Sequence, residues 1–281
     1  TLEKGKRYFI RVLHKEGGGD DHLAVAWQGP GFARAILKGE HLRVPELDKK
    51  TKALVRKIRD EEENKARLLA KLAATRPEGL HRFANGLGKK EQGQLAQELF
   101  SLAGKAERKA TPETAARLKA YGRLTARLLP TPETPVENPV LKALLVIEDL
   151  YLKTLPVDDL EKTGAHRAAT AFGGIPDSAT AVEKTIRLSS SDKKHGSEMV
   201  STGLYARPGM PVVITIPKEL VGKNLSVQIG HHLNGKEKTK IFDCMPHSSR
   251  RFPLSTVSTK AINPHGGLML VHVPANVGLA D

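Results

Sequence analysis

The apolar residues of this chain change their spacing twice, from a period of two to a helical period and back to two. Side chains repeat their direction every second residue in a strand and about every 3.6 residues in a helix. One sheet or one bundle cannot satisfy both patterns. The chain must hold strands, then helices, then strands, which predicts an α+β multidomain class divided at residues 1–44, 45–160 and 161–281.

In the first segment Tyr8, Ile10 and Val12 share one strand face, and Leu23, Val25 and Trp27 share another. Gly17-Gly18-Gly19-Asp20-Asp21 between them reads as a hairpin connection, with Asp20 and Asp21 as polar turn residues. Two strands do not fold alone. The pair is therefore the end of a larger sheet whose beginning is missing, or it pairs elsewhere in this chain. Trp27 reads as a core residue of its strand, or as a ring that stacks on a sugar.

The second segment is rich in Lys, Glu, Ala, Leu and Arg. Leu54 and Ile58 begin a stripe that Leu68, Leu69 and Leu72 resume, and the polar run Arg59 to Arg67 between them predicts a long, largely exposed helix. A second helix is expected near 90–107. A third starts at Thr111-Pro112-Glu113, where a cap, a proline in the first turn and an acid at the positive helix end coincide. Its stripe is Leu118, Tyr121, Leu124 and Leu128. Prolines 130, 132, 135 and 139 impose an extended break. Asn138-Pro139 then opens a fourth helix with Val140, Leu144, Ile147 and Tyr151 on one face. This segment reads as a helical spacer or small bundle.

The third segment returns to strands. Val212 to Ile216 is a β-branched run between Pro211 and Pro217, Leu225, Val227 and Ile229 alternate with Ser226 and Gln228, and Leu268 to Val273 follows Gly266-Gly267. Short strands punctuated by glycine and proline predict a β-sandwich.

Cys244 is the only cysteine, so no internal disulfide and no thiolate zinc cluster can form. The formal charge is +14, spread over all three segments, and aromatic residues make up only 4% of the chain, so stacking on bases has few platforms. Nucleic acid is a poor fit as partner. No run of about 18 apolar residues exists to span a bilayer. The chain opens on Thr1 rather than Met, which reads as a piece of a longer protein.

Candidate chemistry is sparse. A helical zinc peptidase site needs two histidines one turn apart with a glutamate between them, and H-E-x-x-H occurs nowhere here. His231-His232 is the only histidine cluster, and neighbours on a strand point to opposite faces. Ser201-Thr202-Gly203 lacks the preceding glycine of a nucleophile elbow, Ser189 to Ser191 reads as a solvated loop, and Gly17 to Gly19 lacks a phosphate-cradle sequence after it. Cys244 and His247 form a local pair without a third orienting group, which reads as a structural thiol. No catalytic, metal or cofactor residue is assigned to this chain.

Ser201-Thr202-Gly203-Leu204-Tyr205-Ala206, then Leu225 to Gly230, then Gly266-Gly267-Leu268 and Val271-His272-Val273-Pro274, form an ordered set. It resembles the region upstream of the zinc site in enhancin-like, mucin-degrading metallopeptidases, the M-sixty peptidase type. Ala171-Phe172 and Ile175-Pro176 lead into it as they would in that family. Ser201, Thr202, Gly203, Leu204, Tyr205, Gly230, Gly266 and Gly267 are its structural motif residues. Gly5 to Val12, Gly17 to Gly19 and Leu23 to Gly31 similarly resemble the last two strands of a PA-fourteen domain, a glycan-binding β-barrel. Asp20 and Asp21 do not match the calcium-holding aspartates of that family. The resemblance implies zinc only in a catalytic domain beyond Asp281, glycans or glycoproteins as partners, and a secreted or cell-surface bacterial protein. Three functions follow as expectations: a non-catalytic portion of a glycoprotein-directed metallopeptidase, a glycan-binding surface protein without peptidase activity, or a basic helical module for a polyanion.

Overall fold

The computed structural model describes residues 3, 26–29, 31–36, 48–171, 180–188, 198–230, 240–274 and 277. The predicted strands at 8–12 and 23–25, the Gly17 to Asp21 connection, Phe172 to Pro176, Ser189 to Ser191 and His231-His232 lie outside these residues. Two compact units divide the chain, residues 1–60 and 61–281.

In the first unit β1 (Ala26–Gly29) pairs antiparallel with β2 (Phe32–Ile36), Trp27 opposite Ala35 and Gly29 opposite Phe32. The reversal passes through Gly31 at φ +90°, a conformation glycine adopts without a Cβ clash. This hairpin is an addition to the sequence reading, which stopped at Gly31. The short Phe-Ala-Arg-Ala-Ile strand carries too little alternation to stand out. Helix α1 (Lys49–Ala73) opens on Asp48, whose carboxylate accepts the Thr51 amide at 2.9 Å and the Thr51 hydroxyl at 2.7 Å. The helix is long and exposed over its first half, as expected, but the stripe is buried only at Leu68 and Leu72, while Leu54 and Ile58 are exposed together with Val55.

The second unit contains α2 (Leu80–Gly86), α3 (Lys89–Arg108), α4 (Pro112–Gly122), α5 (Pro139–Thr154) and α6 (Val157–Thr163). The caps sit where the sequence places them. Thr111 Oγ1 accepts the Thr114 amide at 3.2 Å, and Asn138 Oδ1 accepts the Val140 amide at 2.9 Å. Leu118, Tyr121, Leu124 and Leu128 are all buried, but the α-helix stops at Gly122 and a 3-10 turn (Arg123–Arg127) carries the stripe onward. Gly122 runs against α5: a Cβ there would lie 3.3 Å from the Glu148 Cα. The sequence reading saw one apolar face on α5. The structure buries every residue from Val140 to Leu150 except Lys142, because α5 is the central helix, with α3 and α4 packed on it.

Strands β3 (Glu198–Ala206), β5 (Ser226–Ile229), β6 (Arg250–Pro253) and β8 (Gly267–Val273) form an antiparallel sheet in the order β3-β8-β5-β6. Strands β4 (Val212–Thr215) and β7 (Ser258–Ala261) form a second, two-stranded sheet. Ala206, Val227, Ile229, Phe252, Met269 and Val271 of the larger sheet share one core with Ala261, Val212 and Ile214 of the smaller. This is the two-sheet arrangement the alternation predicts.

One segment of the sheet region crosses into the helical core. Val136 and Phe242 exchange backbone hydrogen bonds at 2.8 and 2.9 Å, and Phe242 and Met245 are buried among the α3, α4 and α5 side chains. The proline-broken connector is thus extended at Val136 and paired there.

Candidate functional site

The run Leu144-Leu145-Val146-Ile147-Glu148-Asp149-Leu150 puts two carboxylates in the middle of the most buried helix, with side chains 9% and 7% exposed. Ionised carboxylates stay inside a protein only when paired. Glu148 faces Arg167, whose guanidinium donates from Nη2 to Oε2 at 2.7 Å and from Nη1 to Oε1, a two-pronged pairing. Arg167 Nε also donates to the Leu128 carbonyl at 2.8 Å. Burial pushes the Glu148 carboxyl up, but the hydrogen bonds from Arg167 and His166 outweigh it and bring it down to about 2.

His166 Nδ1 accepts the Ala168 amide at 3.1 Å, and its Nε2 lies 3.1 Å from Glu148 Oε1 and 3.0 Å from Arg167 Nη1. The backbone of the same residue donates to the Pro264 carbonyl at 2.8 Å. This ties the segment to the turn before β8. His265 in that turn lies with its ring centroid 4.2 Å from that of His166. It is 6% exposed, and neither ring nitrogen has a hydrogen-bond partner. Burial, and after it the neighbouring His166, lower its imidazole to about 3, so it is neutral.

Asn263 holds the turn from the other side. Its Nδ2 lies 2.9 Å from the Ile229 carbonyl, 2.7 Å from that of Ser248 and 3.1 Å from that of Gly266, and its Oδ1 accepts the His265 amide at 3.1 Å. Backbones approach so closely here that only glycine fits. A Cβ on Gly230 (φ +92°) would lie 2.7 Å from the Ser248 oxygen, and one on Gly267 (φ +129°) would lie 2.6 Å from the Gly230 Cα. Three of the motif glycines, Gly230, Gly266 and Gly267, therefore meet at one node with Asn263.

Arg250, at the start of β6, donates to the carbonyls of Leu152 and, at 2.7 Å, Leu155, so it supplies the last turn of α5 with donors that its orphan carbonyls need. Burial lowers its guanidinium to about 10. Asp149 pairs with Lys153 at 2.9 Å, and burial raises its carboxyl. Asp149, Lys153, Ser248, Arg250, Asn263 and His265 line a hollow of about 10 Å³, room for about one water.

In this junction Glu148, His166 and Arg167 are bonded to one another, and Asn263 and Arg250 to backbone carbonyls, which orients structure. Both oxygens of Glu148 are committed to Arg167, so it serves neither as a general base nor as a metal ligand. Among the described residues no group of three or more His, Cys, Asp or Glu is placed to hold a metal ion.

The motif residues of β3 form a bulge. Thr202 Oγ1 donates to the Met269 carbonyl at 2.7 Å and accepts the Leu204 amide at 3.1 Å, and the register with β8 shifts between Ser201 and Tyr205. Gly203 sits at φ +68°, and Tyr205 and Leu268, cross-strand neighbours, are both 46% exposed. Trp27 is on β1, opposite Ala35. Cys244 is half-buried. A second polar chain crosses the larger sheet: Arg251 donates to His272 Nδ1 at 2.9 Å, and His272 Nε2 lies 2.9 Å from Gln228 Oε1.

Sequence reasoning missed Glu148, Arg167, His166, His265, Asn263 and Arg250. The available signal was the acidic pair inside an otherwise apolar helix. No helix among the described residues is long and apolar enough to cross a membrane.

Residues 178–279 match the family model described as the N-terminal domain of M60-like peptidases. A TRPM8 channel-associated factor homolog of Danio rerio is 37% identical over 78 residues, 28% of this chain and 9% of its own length. TRPM8 channel-associated factor 3 of Rattus norvegicus is 27% identical over 143 residues, 51% of this chain and 15% of its own length. The chain thus spans only a small part of these curated relatives. No solved structure matches it. Over the region that holds both sheets and the His265 turn, the chain is similar to the N-terminal domain of M60-like peptidases.

Proposed function

We propose that this chain is a non-catalytic accessory portion of a secreted or cell-surface zinc metallopeptidase directed at glycoproteins. The two sheets brace a catalytic domain that the chain itself does not contain, and residues 1–44 belong to a PA-fourteen-like glycan-binding module. The observation that carries the reading is the family match over residues 178–279 in a chain of 281 residues without an H-E-x-x-H sequence. The junction supports a bracing role, since Arg250 of β6 bonds to carbonyls at the end of α5, and the His166 amide, next to the Arg167 that pairs with Glu148 of α5, bonds to the Pro264 carbonyl.

The test compares this chain with the product of its longer coding sequence, each given zinc and a mucin-type glycoprotein. The chain alone is expected to leave the glycoprotein intact. The longer product is expected to cleave it and to lose cleavage when the two histidines of a downstream H-E-x-x-H are changed to alanine. A longer product without that motif or that activity overturns the peptidase reading. Saturable binding to neutral glycans with little salt dependence then favours a glycan-binding surface protein. A steep loss of affinity with salt favours a polyanion-binding helical module, because counterion release dominates such binding.

A further inference from the structure

We propose that the stacked His265–His166 pair is an acid-operated latch, which holds the turn 263–267 against α5 at neutral pH and releases it in mild acid. Release leaves the helical core and the sheets folded.

His265 is buried, with no protein acceptor for either ring nitrogen, so a second proton on its ring finds no protein group to bond. The charged and titratable groups around it come from three directions. His166 and Arg167 face it from the segment after α6, Glu148, Asp149 and Lys153 from α5, and Arg250 from β6. The Glu148 charge offsets part of an added cation on His265 but gives it no hydrogen bond, because both its oxygens already serve Arg167 and His166. A protonated His265 therefore stands unbonded beside His166 and Arg167. Opening the turn to water removes that conflict.

The sign follows by linkage. His265 sits at about 3 when the turn is closed and near 6.5 once it is exposed, so the open form binds more protons between these values. Closure is fully favoured above the open-state value of 6.5 and weakens about tenfold for each pH unit below it. Glu148 contributes little between pH 7.5 and 5.0, since even an exposed glutamate is half protonated only at 4.5. His272 lies on the other side of β8, facing Arg251 and Gln228, and serves as a control.

The test is hydrogen exchange of the whole chain at pH 7.5 and 5.0, corrected for intrinsic rates and read by peptide. Peptides over 164–171 and 260–268 are expected to exchange about 30-fold faster at the lower pH, while α3 and the middle of α5 keep their protection. His265→Leu should remove the pH dependence from both peptides, and His272→Gln should leave it in place. Unchanged protection at pH 5.0, the same acid response in His265→Leu, or equal loss throughout the second unit overturns the latch. If His265→Leu does not fold, the wild-type ring is followed by NMR. A His265 that stays neutral at pH 5.5 in the closed form supports the proposal, and one that is already protonated there overturns it.

Discussion

Phe242→Ala should destabilise helices that lie about a hundred residues earlier in the chain. The ring is fully buried, and it sits in the cluster built by Leu95, Leu99, Leu118, Val140 and Leu144 rather than in the core between the sheets. Truncating a buried phenylalanine costs about 3–5 kcal/mol, combining lost transfer energy with the cavity left behind. The Lys142 ammonium 5.5 Å over the ring adds only about 0.5–1 kcal/mol, since it is partly solvated. A total near 4 kcal/mol is a large share of the roughly 5–15 kcal/mol of an ordinary domain. Urea unfolding followed by far-ultraviolet circular dichroism gives the loss, and hydrogen exchange of α3 and α5 peptides locates it. Phe242→Leu should lose less, because it keeps part of the volume. A loss under about 1 kcal/mol, or one confined to β5 and β6 with α3 and α5 untouched, would falsify the assignment of Phe242 to the helical core.

Glu148→Gln leaves the Arg167 guanidinium in place without its counter-charge, and should destabilise by about 3–5 kcal/mol in thermal or urea unfolding. In the unmutated chain the depressed Glu148 carboxyl stabilises fully above the ordinary 4.5, and that contribution is lost as pH falls toward 2. The variant should therefore show a shallower acid dependence over that range, and an identical slope would remove Glu148 from the account. Gly230→Ala forces a methyl to 2.7 Å from the Ser248 oxygen at φ +92°, so a loss of more than about 1–3 kcal/mol is expected in the melting curve. A neutral result would mean the node at Asn263 relaxes freely. Asn138→Ala removes the acceptor for the first α5 amides and the bond to the Ala84 carbonyl, and should cost about 0.5–2 kcal/mol, read as a drop in urea midpoint. No change in midpoint would show that Pro139 alone starts the helix.

The starts of α4 and α5 were legible because a cap acts over three residues: Thr111 reaches Thr114, and Asn138 reaches Val140. Strands β4, β5 and β8 were legible for a related reason, since alternation and β-branching act within one strand. Nothing local announced the all-round burial of α5. Its apolar stripe looks like that of a surface helix until α3, α4 and the Phe242 segment close over it. The motif glycines could be named from sequence, but their purpose depends on distance: Gly230 meets Gly267 only after β5 pairs with β8.

By itself the sequence determined where α4 and α5 begin and where β4, β5 and β8 run, because caps and alternation depend on backbone torsions and neighbours a few residues away. Tertiary structure alone decided that Glu148 meets Arg167 and His166, that His265 is left without a partner, and that Phe242 belongs to the helices. A buried charge or an orphaned ring nitrogen takes its energy from whatever long-range packing places beside it, and spacing along the chain carries no record of that.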